Sequence, residues 1–268
     1  MKNRIYLYVI FLVAFAPYFL FAQLENYEKY MPSSSSGEII HHTYYSLSYL
    51  EDHEIPEWTI YLCTKSRTPL WNMISNEKIL PDGTKPFLRS SNFRPDPKVK
   101  NRSAELIDYM GSGYDRGHSV PAADMVFSKI AISEAFYLSN IAPQEAGFNR
   151  GIWKRLEDFI RSELTPKYDS LIIVTGCLLQ DSSNFDQPKT QIGNVSVPFF
   201  YYKVIIDVKR KSSIAFIIPN KKEPIPNNSN GFLKYICSIK DLERLTGIDF
   251  FYKLSEKEEL DFEDGINN

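Results

Sequence analysis

Between Gly113 and Glu163 the sequence changes its periodicity twice, and any fold for this chain has to accommodate both changes. Gly111, Ser112 and Gly113 lead into Tyr114-Asp115-Arg116-Gly117-His118. The glycines allow a tight approach, after which the chain runs extended. Ser133 to Phe136 reads as a helical turn and Tyr137 to Ile141 as a strand, closed by Pro143. From Asn149 to Glu163, Ile152, Leu156, Phe159 and Ile160 recur at helical spacing and predict an amphipathic helix. At about 100° per residue, Asn149, Trp153, Glu157 and Arg161 drift through only ~120° and form a second face beside that apolar stripe.

The same stretch concentrates reactive side chains. His118 is one of only four histidines, and it alone sits with an Asp, an Arg and two glycines. A neutral imidazole accepts a proton near neutral pH, and a guanidinium offers a planar fork of donors to phosphate oxygens, so the pair suits a general base beside a phosphate clamp. The same residues also suit a surface Asp115–Arg116 ion pair next to an ordinary strand histidine. Asn149 at the helix start can turn its amide oxygen to a hard cation such as Mg2+, which accepts oxygen ligands and keeps several waters. Glu157 lies eight residues on, ~12 Å along a helix axis, too far to share the inner shell and better placed to act through water. Alternatively, Asn149 caps the helix and Glu157 pairs with Arg161 at i,i+4.

The 268-residue chain is 43% hydrophobic and 24% charged, ordinary for a globular protein. Its start departs from this. Lys2 and Arg4 precede an apolar run from Ile5 to Ala22, a pattern that predicts a cleaved signal peptide over 1–22, with a retained membrane anchor as the competing reading. Cleavage implies an exported protein, periplasmic or extracellular, without stable membrane association. It also leaves 29 basic against 33 acidic residues, so nucleic-acid binding would need local basic patches rather than global charge. Cys63, Cys177 and Cys237 allow at most one disulfide, and Cys177 and Cys237 lie in apolar contexts typical of core thiols. No Cys/His spacing suggests zinc.

Around this stretch the sequence predicts a mobile linker over 23–43, then two strands within Tyr44 to Thr64 joined by an acidic turn. Adjacent His41 and His42 would point to opposite sides of an extended segment. Residues 69–100 read as a long loop, and Ser103 to Met110 as a short helix capped by Ser103. Apolar runs at 170–176, 197–207 and 213–219 predict buried strands, Lys209 to Lys211 a solvated turn, and Ser238 to Thr246 a helix capped by Ser238. The tail 255–268 is acidic and expected to be loose. Without an internal repeat or a second core, the expectation is one α+β domain over 44–254, a central, largely antiparallel sheet with the reactive elements on one side.

In order, Asp115-Arg116-Gly117-His118, Asn140-Ile141-Ala142-Pro143-Gln144, Asn149, Trp153 and Glu157 resemble the DNA/RNA non-specific endonuclease family, which includes mitochondrial endonuclease G and secreted bacterial sugar-non-specific nucleases. The likeness extends to Phe93-Arg94-Pro95-Asp96-Pro97, Val197-Pro198 and Ile218-Pro219-Asn220, and covers roughly 44–253. The resemblance implies a ββα-metal nuclease fold, a central mostly antiparallel sheet flanked by helices. It further implies His118 as general base, Asn149 as protein ligand of one hydrated Mg2+, and Glu157 orienting water held by the ion. Arg116 would stabilise charge on the phosphate, Asn140 would support the site, and Arg161 would approach a neighbouring phosphate. Asp115 and Arg150 complete the expected substrate-binding set. Mn2+ suits the same oxygen ligands. The implied partner is DNA or RNA, held through its phosphate backbone and cleaved. A non-catalytic nucleic-acid binder on the same scaffold is the alternative.

Overall fold

A computed structural model describes residues 27–72, 77–88, 91–180 and 190–263. The apolar run expected to be a signal peptide lies outside these residues. In chain order the strands are β1 (Glu38–His41), β2 (Tyr45–Leu50), β3 (Ile55–Thr64), β4 (Leu70–Asn72), β5 (Glu77–Ile79), β6 (Asp115–His118) and β7 (Ile141–Gln144). They continue with β8 (Ser170–Leu178), β9 (Gln191–Ile192), β10 (Val195–Ser196), β11 (Phe200–Asp207), β12 (Ser212–Pro219) and β13 (Ile236–Cys237). Seven of them form one sheet in the order β1-β2-β3-β8-β11-β12-β13, antiparallel throughout. The others form three two-stranded ladders, of which β6–β7 carries the reactive motif.

The central strands are buried on both faces, which explains their near-continuous apolar runs. Alternation then sorts each strand between two cores. Tyr61, Leu171, Ile173, Tyr201 and Ile205 point to one side, where Phe148, Ile152, Trp153, Leu156 and Ile160 of the helical run 148–164 pack on them. Each such apolar side chain contributes about 1.5–3 kcal/mol when fully buried. Ile60, Ile172, Val174, Tyr202, Val204 and Ile206 point to the other side, against Ile239 and Leu242 of the helix Ile239–Thr246 and against Phe262. The expectation of a single core thus resolves into two, one on each face of one sheet.

Several local expectations change. Part of the expected linker is structured: β1 pairs with β2, Trp58 Nε1 donates to the Ser33 carbonyl at 2.9 Å, and Ser34 Oγ and the Ser35 amide donate to Glu57. The acidic tail forms a helix, Glu256–Glu263, anchored by buried Phe262. The short helix Leu106–Tyr109 is capped by Glu105 with Asp108, because Ser103 Oγ is occupied by the Asp96 amide. Ser238 does cap its helix, accepting from the Asp241 amide. All three cysteines are free thiols. Within the long loop 69–100, Asp96 is buried and accepts from Ser139 Oγ and pairs with buried His42 at 2.8 Å.

Candidate active site

The reactive strand β6 pairs antiparallel with β7: Asp115 opposite Gln144, Arg116 opposite Pro143, Gly117 opposite Ala142 and His118 opposite Ile141. Pro143 lies inside β7 rather than closing it, which a two-stranded ladder with free edges tolerates. Its carbonyl accepts from Tyr201 Oη at 2.9 Å and Asn220 Nδ2 at 3.1 Å, tying the ladder to the main sheet and the loop after it. Gly117 is required by packing. A Cβ there would sit 2.1 Å from the side chain of fully buried Gln144.

Arg116 and His118, two apart on β6, share a face and a neighbour. The Arg116 guanidinium lies 4.5 Å from the Phe93 ring centre and is exposed. The His118 ring lies 5.4 Å from Phe93 and 4.9 Å, edge-on, from Phe136. Aromatic walls thus fix the imidazole, while the cation keeps donors free of any carboxylate on its own strand. The Asp115–Arg116 ion pair open from the sequence is not the one formed. Asn140 is fully buried: its Oδ1 accepts from the Val120 amide at 2.8 Å, and its Nδ2 donates to the Val120 and Ala135 carbonyls. Its side chain is spent on the backbone just beyond His118, so it holds the strand's exit and does not face a substrate.

Asp115, expected to bind substrate, instead organises the helix start. Its Oδ2 accepts from Asn149 Nδ2 at 2.8 Å and from Arg150 Nε at 2.8 Å, and its Oδ1 accepts from Arg150 Nη2. Burial alone would raise this carboxyl's pKa, but the bonds from Arg150 and Asn149 outweigh it and hold the pKa below the ordinary range. A carboxylate in this position repels phosphate, so its contribution is to orient its neighbours. The helix also departs from the regular pattern read from the sequence. Phe148–Trp153 is a wide π-type turn kinked at Gly151 (φ −102°, ψ −111°), followed by regular helix Lys154–Phe159 and a second π turn Ile160–Leu164. Trp153 belongs to the core, its ring 5.2 Å from Phe148 and 5.6 Å from Tyr201, instead of sharing a face with Asn149 and Glu157.

Glu157, half-buried, and Arg161 lie one turn apart on the helical run, beside the core. Arg161 is almost enclosed, with 11% of its side chain exposed, and its guanidinium donates to Asp124 and, at 2.7 Å, to Asp158. Two carboxylates occupy it, so it is not presented to a phosphate, and the i,i+4 pair with Glu157 is displaced by them. Asp124 also accepts from Tyr61 Oη. Burial pushes the Glu157 carboxyl pKa well up despite the pull of Lys203 and Arg161, and burial pushes the Lys203 ammonium pKa down despite Glu157 and Asp124. Sequence reasoning passes over Lys203, although a lysine at an inward position of the run Phe199 to Ile206 is the signal that could have found it.

The residues fit a hydrated divalent cation. With the Asn149 nitrogen committed to Asp115, the atom that amide offers is its oxygen, a hard donor. Among the described residues, the one group of three carboxylate, histidine or cysteine ligands close enough to enclose an ion is Glu243, Glu259 and Glu263, outside these elements. The candidate site therefore has the sparse direct ligation that suits an ion keeping most of its waters.

A strand bearing the histidine, a paired strand, and a helical run opening on the asparagine, set on an antiparallel sheet, define a ββα-metal nuclease fold. The chain belongs to the DNA/RNA non-specific endonuclease family, whose match spans residues 22–257. Nuclease EXOG, mitochondrial, of Mus musculus is 34% identical over 82% of this chain and 58% of its own length. Nuclease 1, mitochondrial, of Schizosaccharomyces pombe is 42% identical over 60% of this chain and 53% of its own. The chain thus spans little more than half the length of these relatives. Among solved structures, the EndoG/EndoGI complex, described as revealing the mechanism of EndoG inhibition, matches with a TM-score of 0.68 and 28% identity. That match covers 84% of this chain and 89% of the other. The relatives correct one expectation. The expectation was export, whereas these nucleases, like that of Saccharomyces cerevisiae, are named as mitochondrial.

Proposed function

We propose that this chain is a divalent-cation-dependent endonuclease that hydrolyses phosphodiester bonds in DNA, RNA or both, with Mg2+ as the working ion. The observation that carries this reading is the bond from Asn149 Nδ2 to Asp115, which fixes a cation-seeking amide oxygen to the strand that bears Arg116 and His118. His118 takes the proton of an attacking water. Arg116, exposed beside the Phe93 ring, holds a phosphate oxygen. Asn149 offers its oxygen to the ion, Asp115 keeps that amide turned, and Glu157 accepts hydrogen bonds from nearby water. Bound there, the cation supplies neutralisation of charge on the phosphate and the leaving oxygen, and Mn2+ suits the same donors. Exposed Arg150 adds positive field beside the site. Contacts to phosphates carry no sequence information, so little base preference follows.

The test is digestion of plasmid DNA and of RNA by the wild-type chain and by His118→Ala, each with Mg2+, with Mn2+ and after chelation. Wild type cleaves with either ion and not after chelation, and the variant loses roughly 10²–10⁴-fold, the usual contribution of a positioned base. Undiminished cleavage by the variant, or none by the wild type with either ion, would refute the proposal.

A further inference from the structure

Beside the candidate active site lies a cavity of about 460 Å3 that the proposed chemistry does not use. Phe87, Leu88, Ile132 and Phe136 give it an apolar lining, and Arg94 and Lys129 give it charge. Phe136 is a shared wall: its ring lies 4.9 Å from His118 and 4.9 Å from Phe93, the ring beside the Arg116 guanidinium. The cavity therefore stands one aromatic ring away from the histidine and two from Arg116. Its size falls within the ~300–1,000 Å3 of small-molecule sites. Backbone bonds hold its walls, the Phe87 amide donating to the Val126 carbonyl at 2.8 Å and the Leu138 amide to the Arg94 carbonyl at 2.9 Å.

The charge around it has one sign. Among the described residues that line it, none is acidic. Arg94 donates to the Asn92 and Ser133 carbonyls and to Ser133 Oγ, and its guanidinium lies 4.1 Å from the Tyr137 ring centre. These partners are neutral, so its charge stays uncompensated. Lys129 is exposed at the start of the helix Lys129–Glu134 and forms no ion pair among the described residues. An apolar, aromatic lining under a cationic rim matches a nucleotide, which joins a flat base to a phosphate. Phe87 is 45% exposed and Leu88 91%, so both are open to a base. A base inside a duplex has its faces covered and must leave the stack to enter such a pocket.

We propose that this cavity is a subsite for an unpaired nucleotide next to the cleaved phosphodiester, with its base against Phe87 and Leu88 and its phosphate at Lys129 and Arg94. It biases the chain towards single-stranded or locally opened nucleic acid. This rests on the substrate class in the proposed function and adds a strand preference to it. Stacking on an aromatic ring accepts every base, so the subsite selects for an unpaired base and not for sequence.

The experiment is fluorescence anisotropy in EDTA with a short fluorescein-labelled oligothymidylate, single or paired with oligoadenylate. Phe87→Ala weakens binding of the single strand by about 5- to 140-fold, the usual contribution of one stacked base, and leaves duplex binding unchanged. Lys129→Ala lowers the slope of log affinity against log salt for the single strand by about 0.7, the mark of one lost phosphate contact. Circular dichroism checks the fold. If Phe87→Ala unfolds, Leu88→Ala, at an almost fully exposed side chain, gives a smaller loss again confined to the single strand. Equal losses on both forms, no loss on either, or an unchanged salt slope would overturn the inference. Binding in EDTA is read without cleavage: a wild type that cleaves nothing yet shows the Phe87 effect sinks the nuclease reading alone. A cleaving wild type without that effect sinks only the subsite.

Discussion

Asp115→Ala separates the role assigned here to Asp115 from a role in substrate binding. The wild-type carboxylate makes one bond to Asn149 and two to Arg150, and only the first bears on the cation. A hydrogen bond to a charged group contributes about 1.5–3 kcal/mol. If that energy holds the Asn149 amide in its ligating orientation, its loss lowers productive cation binding by about 10- to 150-fold, at 1.4 kcal/mol per tenfold. The range overlaps the 10- to 100-fold typical of residues that orient metal ligands. Initial rates at 25 °C across a Mg2+ titration are the assay, with circular dichroism to show that the chain stays folded. The half-saturating Mg2+ concentration rises in Asp115→Ala, and Asp115→Asn, which can still accept a neutral bond from Asn149, falls between it and wild type. Arg150→Ala leaves the Asn149 bond intact; it raises KM for polynucleotide and does not move the Mg2+ requirement. An Asp115→Ala protein with the wild-type Mg2+ requirement, or an Arg150→Ala protein with the same rise, would refute the orienting role.

Two further outcomes test the scaffold. Gly117→Ala places a methyl 2.1 Å from the enclosed Gln144 side chain, and overpacking of this kind costs about 1–3 kcal/mol. Thermal unfolding should show a midpoint lowered by ~2–4 °C for each kcal/mol, and an unchanged midpoint would mean that Gln144 has room to move. Asp96 gives a pH dependence. Burial would raise its pKa, but bonds from His42 and Ser139 and the Lys98 amide outweigh it, so the folded pKa lies below the unfolded value near ~3.9. Its stabilisation is present above that unfolded value and is lost as pH falls through the lower folded one. Asp96→Asn is therefore less stable than wild type at pH ~7, and the gap closes below ~4. Denaturant titrations that show the same gap at both pH values would exclude this account.

How much of this was legible beforehand divides along a physical line. Periodicity reports which side chains leave water, so the buried strands β8, β11 and β12 and the helical stripe of Ile152, Leu156 and Ile160 could be read directly. The motif order also carried the ββα arrangement and the family. Charge partners are different. Asp115 has Arg116 as its chain neighbour and chooses Arg150, 35 residues away. Arg161 has Glu157 one turn back and instead takes Asp124 together with Asp158. The partners Arg150 and Asp124 are set by which elements the fold brings together, 35 and 37 residues apart, and that leaves no trace in local spacing.

Trp153 shows how one helix serves two sides. At about 100° per residue Trp153 lies only ~20° round from Ile160 and ~60° from Leu156, so helical spacing sets the indole on the apolar stripe, where it packs beside Tyr201. There the Trp153 ring centre lies 4.7 Å from the Lys203 Nζ, while Asn149 and Arg150, at the start of the same run, donate to Asp115. The opening turn thus sets Asn149 against Asp115 while the indole closing it lies over the buried ammonium, and Glu157, one turn further on, stays half-buried.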